Sequence, residues 1–140
     1  MIYRNINIIA ALNVLNSFVD KKLPQKISYA ITRNIMIFSK EYQCYEAEVK
    51  KLETKYQDFF TYSDKKNISR NNQGILILAN DQEQTLYNKE LFELLNIEID
   101  VPVYCISVDE FNYNDNIGRY DIMTASDIIN LQNILCDNTN

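Results

Sequence analysis

The chain of 140 residues contains no histidine and no tryptophan, and has only two glycines, two prolines and three cysteines. Each scarcity removes a class of chemistry. Without histidine there is no Ser-His or Cys-His nucleophile pair, and the commonest metal-ligating side chain is missing. Gly74 and Gly118 stand alone, so there is no glycine-rich loop whose backbone N–H groups could cradle a phosphate. Cys44, Cys105 and Cys136 lie far apart, are odd in number and form no C-x-x-C pair. That spacing argues against a disulfide framework and a zinc ribbon and predicts buried free thiols. No run of about 18 apolar residues is present, and the opening Met1–Ile9 lacks the apolar stretch and cleavage site of a signal peptide. A cytoplasmic protein without membrane contact is expected.

What remains is 46% hydrophobic, enough for a modest core in a single domain. The net charge of −5 hides an uneven distribution. Residues 1 to 80 carry 12 basic and 7 acidic side chains, a balance of +5, and residues 81 to 140 carry 2 basic and 12 acidic ones, a balance of −10. Such polarity can steer a partner or join two copies, although opposite halves can equally attract within one fold.

The longest periodic stretch starts at Pro24. Ile31, Ile35, Phe38, Tyr42, Tyr45, Val49, Leu52, Tyr56 and Phe59 recur at steps of four and three, the alternation of a coiled-coil seam. A helix over about 25–60 is predicted, roughly 50 Å long at about 1.5 Å per residue, with Glu46–Lys50 and Glu48–Lys51 supporting its solvated face. Before it, Ile8, Leu12, Leu15 and Val19 make the stripe of a first helix, capped by Asn5 or Asn7 and ending near Asp20–Lys22. Met1–Arg4 suits a short strand or arm. After the long helix, residues 61–74 have loop composition, and Ile68 and Ile75–Leu78 suit two arms of a small hairpin.

Asn80 and Glu83 stand at cap spacing and open a helix over about 81–95 that should bury Leu86, Leu91, Leu94 and Leu95. Alternation from Ile97 through Ile99, Val101 and Val103 to Cys105 reads as a strand, bent or at an edge because Pro102 lacks a ladder donor. Ser107–Phe111 suits a helical turn and Asn112–Gly118 a polar loop. Thr124 and Asp127 open a last helix presenting Ile128, Ile129, Leu131, Ile134 and Leu135, and the tail from Asp137 should fray. The fold class expected is α+β and predominantly helical. It comprises a helical hairpin with one very long helix (1–60), a loop and hairpin (61–80), and an acidic part (81–140) with a small sheet and shorter helices.

Two constellations could carry chemistry. Glu98, Asp100, Asp109, Glu110, Asp115 and Asp121 are the only group suited to a cation or acid–base work. The nearby Asn112, Asn114 and Asn116 lack the glycine and glutamate of a calcium loop, so a solvated acidic surface is expected, with no metal and no cofactor. Lys40, Lys50, Lys51, Lys55, Lys65 and Lys66, with Tyr56 and Tyr62, could form a nucleic-acid stripe, but counterion release needs many convergent cations and the chain is acidic.

The order of parts carries a resemblance. A short helix ends in Leu23-Pro24 and Lys26-Ile27-Ser28-Tyr29, a long helix reaches Lys51-Leu52-Glu53-Thr54-Lys55-Tyr56, and Glu93-Leu94-Leu95-Asn96 runs into the alternating segment and a capped last helix. This resembles a family of small uncharacterised proteins of phages and prophages of Gram-positive bacteria, and 18 asparagines suit an AT-rich genome of that kind. The resemblance implies no activity and no catalytic residue. The sequence therefore points to a non-enzymatic accessory protein that binds a host or phage protein, such as a defence factor. The binding residues expected are Tyr42, Tyr45, Val49, Leu52, Tyr56 and Phe59, in a seam with too little chain left to cover it. The same seam suits pairing with a second copy, as in a virion assembly protein. An enzyme or metal protein using the acidic cluster is a third reading.

Overall fold

The computed structural model describes residues 1–64 and 66–137. Its elements are β1 (Ile2–Arg4), α1 (Asn5–Phe18), α2 (Gln25–Lys55), α3 (Asp81–Leu95), β2 (Glu98–Asp100) and α4 (Ala125–Leu135), with 3-10 turns at Gln57–Phe59 and Val108–Phe111. The fold is α+β and mostly helical, as the periodicity predicts. Two compact units are present: an end unit of Met1–Tyr42 with Glu98–Asn140, and a middle unit of Gln43–Ile97. Their limits fall inside α2 and just before β2, not near residues 60 and 80 where the composition changes.

In the end unit, β1 and β2 pair antiparallel with Ile2 opposite Asp100, Tyr3 opposite Ile99 and Arg4 opposite Glu98. Tyr3 and Ile99 pack on the core, and their neighbours face solvent. The strand expected through Cys105 stops earlier: Val101 N–H still donates to Met1 O (2.8 Å), but Pro102 has no donor and Val103 N–H turns back to Val101 O (2.8 Å). The core gathers Ile8, Ala11, Leu12, Leu15 and Phe18 from α1, Ile27, Ala30, Ile31 and Phe38 from α2, and Leu131, Ile134 and Leu135 from α4, with Val101 and Phe111. Tyr3 meets Phe38 edge-on at 5.0 Å.

Several local expectations of the end unit change. Asn5 is a buried first helical residue, and the cap position is Arg4, with no side-chain capping bond. Val19 follows the end of α1 and is exposed. At α4 the Thr124–Asp127 capping box forms as predicted, while Ile129 stays exposed. Asp121 clamps the corner after α1, its carboxylate accepting from Lys22 N–H (2.7 Å) and its N–H donating to Lys22 O (2.8 Å). Gly118 at φ +68° closes the loop in which Asp115 accepts from Arg119 and Tyr120 N–H (2.7 and 3.0 Å).

In the middle unit α2 ends at Lys55, short of the predicted residue 60, because the chain leaves helical geometry at Tyr56 and Phe60 joins a bridge. Three extended stretches follow, held by antiparallel bridges Phe60–Leu78, Tyr62–Ile68 and Arg70–Leu76. Ser69 N–H donates to Thr61 O (2.8 Å), Ile77 N–H to Ser69 O (3.0 Å), and Thr61 Oγ1 to Ile77 O (2.9 Å), so one residue from each stretch is bonded to the other two. The predicted hairpin is present: Asn71 Oδ1 accepts from Gln73 and Ile75 N–H (2.8 and 3.0 Å), and Gly74 takes φ +77°.

Asn80 caps α3 through Glu83 N–H (2.8 Å), within the predicted limits. The buried residues of α3 differ from those expected. Tyr87 and Leu91 are buried, Leu94 and Leu95 are half-buried and Leu86 is exposed, because the face that meets the bridged stretches runs through Gln84, Tyr87 and Leu91. This core contains Leu52, Tyr56, Leu76, Leu78, Tyr87 and Leu91.

Folding also disperses the charge polarity. The middle unit holds 7 basic and 9 acidic side chains and the end unit 7 and 10, because each unit draws on both halves of the sequence.

Candidate protein-binding surface

The predicted binding seam is largely covered by its own chain. Tyr42 packs against the end-unit core, Val49 and Phe59 pack against the middle-unit core, and Tyr45 is half-buried. Leu52 and Tyr56 are each only 6% exposed. The premise that too little chain remains to cover them does not hold, since Leu76, Leu78 and α3 do so. The Tyr56 hydroxyl donates to Glu90 Oε1 (3.0 Å), and Lys55 Nζ approaches Glu90 Oε2 (3.4 Å). Burial first, and then the Glu90 carboxylate, pushes the Tyr56 phenol up to about 12. Arg70 makes a two-pronged pair with Glu53 (2.9 and 2.8 Å), which raises its pKa.

The acidic constellation is not one cluster. Glu98 pairs with Arg4 (4.0 Å), Glu110 with Lys26 (3.1 Å), and Asp115 and Asp121 hold backbone N–H groups. Among the described residues no three Cys, Asp or Glu side chains are grouped to hold a metal. Of the lysine stripe, Lys51 pairs with Glu48 (3.0 Å), Lys55 lies beside Glu90, Tyr56 is buried, and Lys65 lies outside the described residues. Cys136 is buried, but Cys44 and Cys105 are exposed, contrary to the expectation for all three.

A different surface has the composition of a binding site. Tyr29, Arg33 and Met36 lie at helical spacing on the outer face of α2, with Tyr29 48% and Met36 71% exposed. Tyr104 joins them from the extended segment after β2. Its ring stands edge-on to Tyr29 at 5.4 Å, and the Arg33 guanidinium lies 5.6 Å from its centroid. Arg33 Nη1 donates to the Tyr29 hydroxyl (3.2 Å). Beside the two rings is a groove of about 280 Å³ lined by Gln25, Lys26, Tyr29, Tyr104 and Ile106.

The platform is fixed from behind by Asn34, which is fully buried. Its Oδ1 accepts from Tyr104 N–H (2.8 Å), and its Nδ2 donates to Tyr104 O (2.8 Å) and Ala30 O (2.9 Å). A helix side chain thus takes the place of a neighbouring strand and orders the residue whose ring carries Arg33. Sequence reading missed this surface. Tyr29 and Arg33 at i, i+4 are visible as a helical pair, but Tyr104 is 75 positions away from Tyr29, and no pattern announces their meeting.

Protein-family models, curated proteins and solved structures contain no match to this chain. Among the described residues no helix is long and apolar enough to cross a membrane.

Proposed function

We propose that the protein works by binding another protein and catalyses no reaction of its own. The observation that carries this reading is the ordered, exposed group of Tyr29, Arg33 and Tyr104. Tyrosine and arginine are among the residue types that dominate binding energy at protein interfaces, and here Asn34 fixes the Tyr104 backbone while Tyr29, Arg33 and Tyr104 contact one another before any partner arrives. Preorganisation lowers the ordering cost of association. The missing histidine and the dispersal of the acidic side chains support the non-enzymatic part. An accessory role in phage biology, including interference with a host or defence factor, extends this reading and rests on the order of elements in the sequence.

Photo-crosslinking in cells of a Gram-positive bacterium tests it. A photoreactive residue at Met36 should give a discrete protein adduct that the same probe at exposed Thr54 does not give. Equal labelling from both positions, or none from Met36, overturns the assignment of this surface.

A further inference from the structure

We infer that the partner presents a carboxylate: the Tyr29–Arg33–Tyr104 surface fits an acidic protein segment carrying an apolar side chain next to an Asp or Glu. This rests on the protein-binding reading above and names the chemistry of the partner.

The first argument is the state of Arg33. A guanidinium has five N–H donors in a planar fork, and the one bond it makes here through Nη1 goes to a neutral phenol. Among the described residues no carboxylate forms an ion pair with Arg33. Lys26, which lines the adjoining groove, is already paired with Glu110 (3.1 Å). The guanidinium lies over the Tyr104 ring, 5.6 Å from its centroid, and the donors not bonded to Tyr29 leave a two-pronged bond available to an incoming carboxylate.

The second argument is the adjoining groove. Its lining by Ile106, Tyr29 and Tyr104 offers apolar surface, and its volume of about 280 Å³ is on the scale of a side chain rather than a folded element. A carboxylate on Arg33 and an aliphatic or aromatic neighbour in the groove satisfy both features together.

A protein carboxylate is favoured over nucleic acid. Phosphate backbones are held by many convergent cations, whereas this surface offers a single guanidinium without a carboxylate. One fork suits one carboxylate.

The test is selection of a random 16-residue peptide library on the full-length protein, followed by titration of the enriched peptides. Enriched peptides should contain Asp or Glu beside an apolar residue. Binding should weaken at least tenfold on Arg33→Ala, and equally when that Asp or Glu is changed to Asn or Gln. Arg33→Lys should recover only part of the loss, because an ammonium keeps the charge but not the fork. Circular dichroism melts of the variants should overlay the parent, as Arg33 is exposed.

Enriched peptides without a carboxylate, or binding indifferent to Arg33→Ala, overturn the inference, as does oligothymidylate displacing the peptides. If neutral peptides are enriched and are lost on Tyr29→Ala, the surface stands as a protein-binding site and only its acidic preference fails. If nothing is enriched, the inference fails, and the crosslinking result decides separately whether the surface binds protein at all.

Discussion

The end unit closes over aliphatic and phenylalanine side chains with two buried carboxamides, Asn5 and the fully buried Asn34, whereas the middle unit closes over two tyrosines whose polar ends lie among charged groups. Tyr56 and Tyr87 meet edge-on at 5.6 Å, and burial raises both phenols. Yet both units complete an extended segment with a helix carboxamide. Asn34 pairs with Tyr104, and Gln84 accepts from Leu78 N–H (2.7 Å) while donating to Leu76 O (3.0 Å). In a chain with one two-stranded sheet among its described residues, side-chain amides satisfy backbone groups that a larger sheet would pair.

The largest effect that separates the two designs is expected in the end-unit core. Leu15→Ala, at a site with no exposure, should cost about 3 kcal/mol in denaturant unfolding. A loss below about 1 kcal/mol would mean that the end unit is less tightly packed than its burial indicates. Next is the carboxamide. Asn34→Leu should cost about 2 kcal/mol by leaving the Tyr104 backbone groups and Ala30 O without this partner. Gln84→Leu, at a half-buried site, should cost about 1 kcal/mol and speed hydrogen exchange at the Leu78 amide. If the two changes cost the same, the amides are equivalent and the contrast in burial carries no energetic weight.

Alkali should then distinguish the middle unit. A phenol whose pKa is raised on folding contributes stability that is complete below its unfolded value near 10. That contribution is lost as pH rises through about 12, the folded value of Tyr56. Unfolding measured from pH 8 to 12 should show this decline, and Tyr56→Phe should reduce it at a cost of about 1 kcal/mol at neutral pH. The smallest effect is at the proposed binding surface, where Arg33→Ala should change stability by no more than about 0.5 kcal/mol.

Helix positions were legible because apolar spacing and caps are local signals. The Thr124–Asp127 box and the Asn80 cap set the starts of α4 and α3 where the residues predict them. The long helix was legible as a helix but not in its surroundings. A seam records that one face is apolar, not whether a second chain or Leu76, Leu78 and α3 will cover it. The charge polarity misled for a related reason: chain order becomes spatial order only if the halves fold apart, and here both units take residues from each half. The surface of Tyr29, Arg33 and Tyr104 depends on Asn34 reaching Tyr104 across 70 positions. No local period encodes that meeting.

Gln84 has a further consequence. Ile75-Leu76-Ile77-Leu78-Ala79 is an uncharged, aliphatic run without proline or glycine, the composition that stacks into cross-β assemblies when its backbone is free. In the folded chain Ser69 and the Gln84 amide occupy the hydrogen-bonding groups of Leu76, Ile77 and Leu78 that a second molecule would use. Part of the protection from aggregation therefore resides in a helix side chain, and loosening of α3 would free the Leu76 carbonyl and Leu78 amide of an aggregation-prone stretch at the same moment.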